Sequence, residues 1–170
     1  MQDANQYINP IFVGHGSPMN AMLNNAYSRF LSSYARKIRK PKAIVVISAH
    51  WQTKGTYITG NPNPDQIYDF YGFPEELYGV KYSPQGSKDI AEIIAQEVDG
   101  IKIDPDRGID HAGWAVVKHM YPDGDVPLLE LSLDVLKSNR QHFSLGSRLG
   151  TLAVSGIVFI GSGNMVHNLR

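Results

Sequence analysis

The sequence contains no cysteine. Thiolate catalysis, Cys-based zinc sites and disulfides are therefore excluded. It has no surplus of charge: 16 Lys+Arg face 16 Asp+Glu, for a formal net charge of zero. A nucleic-acid footprint or a polybasic membrane patch needs excess positive charge, so neither kind of partner is expected. No apolar run reaches the ~18 residues of a membrane-spanning helix. The first ten residues, MQDANQYINP, are polar and do not read as a secretory leader, so the expected location is the cytoplasm. Internal repeats and low-complexity tracts are missing. So are the nucleophile elbow Gly-x-Ser-x-Gly and the zinc-protease pattern His-Glu-x-x-His.

What remains suits one enzyme-sized unit. At 170 residues the chain is expected to form a single domain over residues 1–170. Surface scaling lets such a domain bury ~70% of its unfolded surface, enough for a core without cross-links. A 42% hydrophobic and 19% charged composition is too apolar for a disordered chain. Four apolar, β-branched runs read as strands: residues 11–14 (IFVG), 42–49 (KAIVVISA), 128–133 and 156–161 (GIVFIG). The near-continuous apolar character of residues 42–49 suits a strand covered on both faces. Helical spacing of apolar residues appears over 24–39, 87–98, 112–121 and 140–154, with Ser87 as a candidate N-cap. Strands alternating with helices predict an α/β fold, a mostly parallel central sheet flanked by helices on both faces. Residues 60–84 are rich in Pro, Gly, Asn and Tyr and read as a long loop, ordered by its aromatics.

In open α/β sheets ligands bind beyond the carboxyl ends of the strands. Three of the six histidines fall there. His15 follows the first strand and His50 the second. His167 follows the last strand after a short turn, Ser162-Gly163-Asn164-Met165-Val166. His111 sits in a loop entering a helix, with Asp110 before it as a possible N-cap or orienting partner. Imidazoles gathered at one edge suit zinc, iron, copper or nickel. Gly14 and Gly16, flanking His15, allow a sharp turn and close approach to a ligand, although a purely structural turn would need them too. His119 and His142 lie inside helical segments and read as structural.

At these residues a resemblance becomes specific. Residues 14–20 (GHGSPMN) closely resemble the N-terminal motif of the 4,5-DOPA extradiol dioxygenase family, within the class III ring-cleaving superfamily. Ser48-Ala49-His50-Trp51 is similar to that family's second motif, and residues 67–74 (IYDFYGFP) to its aromatic loop. Asp110-His111 with Trp114, and residues 162–168 (SGNMVHN), are similar to two further motifs in the same order. The family usually has Gly directly after the third-motif His, where this chain has Ala112 and then Gly113.

The resemblance implies a non-haem metal held by His15 and His50. It implies His167 as the acid/base histidine, or as a further ligand in zinc-loaded forms, and His111 as a catalytic contact to the ring hydroxyl or to oxygen. Ser17, Asp110 and Asn164 are the implied substrate-side residues. Fe(II) is the expected catalytic metal and Zn(II) a plausible bound one. The expected partners are a small catechol, DOPA among them, and O₂. The expected product is a muconic semialdehyde-type compound. The resemblance also implies a C-terminal portion beyond the position of Arg170, carrying the remaining metal ligand. Without it a third ligand would come from His167, Asp110 or Glu130, spacing favouring His167, and a homodimer could cover the open sheet edge. The alternative reading is a non-catalytic or truncated metal-binding relative of the same fold. A tetrapyrrole chelatase, suggested by His-Gly-Ser after a first strand, leaves Ser-Ala-His-Trp and the His167 motif unexplained.

Overall fold

The apolar run expected as a covered strand forms the middle of the sheet. In the computed structural model, which describes residues 9–164, strand β2 (Ala43–Thr53) has Ala43, Ile44, Val45 and Val46 wholly buried. Alternate side chains of a strand point to opposite faces, so a run with no polar break requires cover on both. Ile44 and Val46 pack into one apolar cluster, Ala43 and Val45 into another.

Six strands form one sheet in the order β1-β6-β2-β5-β3-β4. The others are β1 (Ile11–Gly14), β3 (Thr56–Thr59), β4 (Ile101–Asp104), β5 (Leu128–Asp134) and β6 (Ile157–Gly163). β1, β6, β2 and β5 are mutually parallel; β3 pairs antiparallel with β5 and parallel with β4. The sheet is therefore mixed and mostly parallel. Helices α1 (Ala26–Lys37) and α4 (His111–Met120) supply Leu31, Ala35, Trp114 and Val117 to the cluster on one face. Helices α3 (Lys88–Glu97) and α5 (Asn139–Gly150) supply Ala91, Ile94 and Leu149 to the other. The helices start where short polar side chains cap exposed amides. Asn25 caps α1 in a reciprocal box with Ser28, Ser87 caps α3, and Ser138 and Gln141 form a second box on α5.

β3 and β4 are absent from the sequence reading. Each has four residues, below the length at which alternation stands out, and each follows a glycine in the left-handed region, Gly55 (φ 97°) and Gly100 (φ 86°). β2 also runs four residues past Ala49. Its register against β5 shifts between Ile47 and Gln52, and within that stretch the His50 amide donates to the Ser48 hydroxyl. The expected last helix ends at Gly150 and continues as a 3₁₀ turn over Thr151–Ser155.

The loop between β3 and α3 holds one short helix, α2 (Glu75–Tyr78), and is pinned along its length. Ile67 N donates to Ile109 O, Ile109 N to Asp65 O, and the Trp114 indole to Ile67 O. The close approach needs Gly108: a β-carbon there would lie 2.2 Å from Asp65 O.

Candidate metal centre

Because β1, β2 and β6 run parallel, their carboxyl ends share one edge, and His15, just after β1, meets His50, near the end of β2, there. His15 extends the β1–β6 ladder by one bond, its amide donating to Gly163 O at 3.1 Å. Gly16 then turns with φ 66°, and its amide donates to Asn164 Oδ1. Asn20 Nδ2 donates back to His15 O, and Ser17 caps the following 3₁₀ turn (Pro18–Ala21) by accepting from Met19 N. The Gly-His-Gly-Ser-Pro-Met-Asn sequence thus builds a stapled turn with His15 fixed inside it, only 4% exposed.

His50 Nε2 lies 3.1 Å from His15 Nε2. His111 opens α4 with its ring centroid 4.3 Å from that of His50 and 5.2 Å from that of His15. One ring nitrogen from each of the three lies within 4.8 Å of the others. The sequence reading placed His111 as a contact to substrate; the fold also brings it into range as a donor beside His15 and His50. His167 lies outside the described residues.

The hydrogen bonds behind the rings fix which nitrogen carries the proton. Ser162 donates its one hydroxyl proton to Ala112 O at 2.6 Å, so it accepts from His15 Nδ1–H at 3.1 Å. Asp69 accepts from His111 Nδ1 at 2.8 Å and lies 3.2 Å from His50 Nδ1. A carboxylate can only accept, so both rings carry Nδ1–H. Each neutral ring then has its lone pair on Nε2. Two such nitrogens 3.1 Å apart repel unless a cation or a shared proton lies between them. That donor chemistry fits a divalent metal of the zinc or iron kind.

Asp69 stands out as the residue missed from the sequence. It lay inside the aromatic motif, and no local pattern marks a carboxylate that meets two histidines from other elements. Burial works against its charge, but the hydrogen bonds from His111 and His50 outweigh it and hold the carboxyl well below the usual carboxylate range. The same bond raises the pKa of His50, against the lowering effect of desolvation.

Asp110 is fully buried and acts as the N-cap of α4, accepting from Ala112 N. Ser48 and Arg107 also donate to its carboxylate. It therefore supports His111 from behind. Glu130 is fully buried too: its Oε1 accepts from Asp110 N, and its Oε2 has no hydrogen-bond partner among the described residues. Burial, and then the charge of Asp110, push its pKa well above the usual range. Glu130 is thus tied to the start of α4, away from the facing imidazoles. Ser17 is exposed, and Asn164 is half-buried beside Gly16. His119 and His142 each donate Nε2–H to a backbone carbonyl, of Asn20 and Asp134 respectively, in keeping with structural roles.

Two walls flank the edge. Tyr68 and Phe70 pack on Trp114, Phe73 and Tyr78 pack on Phe70, and Phe70 meets the His111 ring edge-on at 5.5 Å. Across the sheet a mainly apolar cavity of about 690 Å³ runs between α5 and the strands and reaches His50 and Asn164.

The model of a family described as the catalytic LigB subunit of aromatic ring-opening dioxygenase matches residues 9–170. The chain is 42% identical over 163 residues to a 4,5-DOPA dioxygenase extradiol of Escherichia coli (strain K12), covering 94% of this chain and 60% of that protein. It is 40% identical over 164 residues to a protein of the same name from Beta vulgaris, covering 92% and 61%. The crystal structure of an uncharacterized protein, JW3007, from Escherichia coli K12 superimposes with a TM-score of 0.79 at 37% identity, over 95% of this chain and 62% of that one. The chain spans about 60% of the length of the curated relatives it matches.

Proposed function

The chain belongs to the LigB family of aromatic ring-opening dioxygenases, and on that premise we propose that it carries out, or contributes the metal-binding edge for, extradiol cleavage of a small catechol by O₂. The observation that carries this reading is the convergence of His15, His50 and His111 at the carboxyl edge of the sheet. His15 and His50 hold a non-haem metal through Nε2. Fe(II) is the catalytic metal, and the same nitrogen donors accept Zn(II). When bound, the metal supplies Lewis acidity and a common template for the catechol and O₂.

The chain's own residues do the rest. Ser162 and Asp69 keep His15 and His50 in the tautomer that offers Nε2. His111, anchored through Nδ1 and its own amide on Asp69, presents its other nitrogen to a ring hydroxyl or to oxygen. His167 is assigned as the acid/base histidine. Ser17 and Asn164 form the substrate rim, while Asp110 reaches substrate only through His111. The aromatic wall around Phe70 excludes water from the ring. The cytoplasm is the expected site of action.

A second reading has its own support: the spacing of the three donors suits His111 as a third metal ligand. His111→Ala separates the two. Retained metal with lost turnover assigns the substrate contact, and lost metal assigns the ligand. The proposal as a whole is tested by anaerobic reconstitution with Fe(II) and O₂ uptake over a catechol panel including DOPA. Catechol-dependent uptake with a yellow ring-opened product is expected. Metal bound without uptake would favour a non-catalytic relative.

A further inference from the structure

Asp69 meets two histidines at once, and the two meetings are chemically unequal. Its Oδ1 accepts from both the His111 amide, at 3.0 Å, and His111 Nδ1, at 2.8 Å. Its Oδ2 faces His50 Nδ1, at 3.2 Å, and no other donor among the described residues. The residue is held from both sides along the chain. The Trp114 indole donates to Ile67 O, Tyr68 donates to Val80 O, and the neighbouring Phe70 ring packs on Tyr78 and His111. With its backbone fixed in this way, the carboxylate cannot follow one histidine without leaving the other.

We infer that Asp69 is a positioning residue that sets the tautomers of His50 and His111 together, so that one loop carboxylate on the aromatic motif governs how the edge offers its nitrogens. The aromatic loop then has a role besides walling a ring: it delivers this acceptor. The consequence for metal rests on the reading of His50 as a ligand; the tautomer control does not.

Asp69→Asn distinguishes the two halves of the carboxylate. An amide keeps one accepting atom and gains a donor. Its oxygen stays with the two donors of His111, and its NH₂ then faces His50. His50 must offer a lone pair at Nδ1, so its proton moves to Nε2, the atom 3.1 Å from His15. The His111 tautomer is unchanged.

Long-range ¹⁵N–¹H spectra of the imidazoles read this directly in the metal-free full chain at alkaline pH, where the rings are neutral. The wild type should show Nδ1–H for His50 and His111. Asp69→Asn should move His50 alone to Nε2–H, with a backbone amide spectrum otherwise close to wild type. Asp69→Ala, which removes both acceptors, should leave the His111 ring as a tautomer mixture, a result a merely structural role would not produce. Zn(II) affinity by chelator competition should fall roughly 10- to 100-fold in Asp69→Asn, the usual effect of losing such an outer partner. An unswitched His50 in Asp69→Asn, or Nε2–H in the wild type, overturns the inference. A switch with unchanged Zn(II) affinity upholds Asp69's control and overturns instead the reading of His50 as a ligand.

Discussion

Gly113 lies in the first turn of α4, two residues after His111, and replacing it tests how tightly that turn is built. On helix propensity alone Gly113→Ala should stabilise by about 1 kcal/mol. The surroundings decide otherwise. An added β-carbon would lie 2.4 Å from Glu130 Oε1 and 2.9 Å from Ile109 Cγ2. Glu130 Oε1 is the tip of a side chain, but it is fully buried and accepts the Asp110 amide. Moving it strands that amide, at about 1–3 kcal/mol, and crowding Ile109 adds about 1–3 kcal/mol of overpacking. The net expectation is a loss of about 1–5 kcal/mol after the propensity gain. Gly146, in α5, has nothing within 4 Å of its β-carbon position. The same change there should stabilise by up to about 1 kcal/mol. Urea unfolding of both variants, with unchanged m-values, provides the assay. If Gly113→Ala matched or exceeded wild type, the Glu130 carboxyl would not occupy the space behind α4, and the account of His111's placement would fail.

Three further outcomes are expected. Glu130 has its pKa raised by burial, so the native state holds its proton more tightly than the unfolded chain. Its contribution is full below the ordinary glutamate value of about 4.3 and is lost as pH rises through the raised value, so Glu130→Gln should gain stability over wild type at neutral pH and lose that advantage at pH 4, as denaturant titrations at both pH values would show. Ser162→Ala removes the acceptor of His15 Nδ1–H and the bond from β6 to Ala112 O, and should weaken Zn(II) binding roughly tenfold in chelator competition. In the metal-free protein, the raised pKa of His50 stabilises the fold below its ordinary value of about 6.5, and that contribution fades as pH rises through the raised value; Asp69→Asn should flatten this alkaline decline in thermal scans.

Much of this site could be read along the chain because its parts lie next to strong local signals. β2 announces itself by four consecutive apolar residues, all wholly buried, the β1 run by β-branched residues between Pro10 and Gly14, and the β6 run by β-branched residues between Gly156 and Gly161. Once those strands are taken as parallel, His15 and His50 fall on one edge without further information. Asp110 was legible as a cap because Asp before a helix has a local job. What sequence could not supply was convergence across distance. Asp69 reaches its partners from a loop with no period of its own, 42 positions from His111. Glu130 sits mid-strand, where its burial and its bond to Asp110 depend on the crossing of β5 behind α4. The parallel pair β3 and β4 was hidden by brevity, and its absence from the reading left the sheet four strands wide where six are present among the described residues.

The central claim is that His15 and His50 together hold a metal ion. Metal analysis of the chain reconstituted anaerobically with Fe(II) or Zn(II), beside His15→Ala and His50→Ala, tests it most directly. The account predicts about one ion per wild-type chain and none above background in either variant, each variant keeping a wild-type circular dichroism spectrum. Wild-type protein that binds no metal, or variants that bind it as well as wild type, would contradict the account.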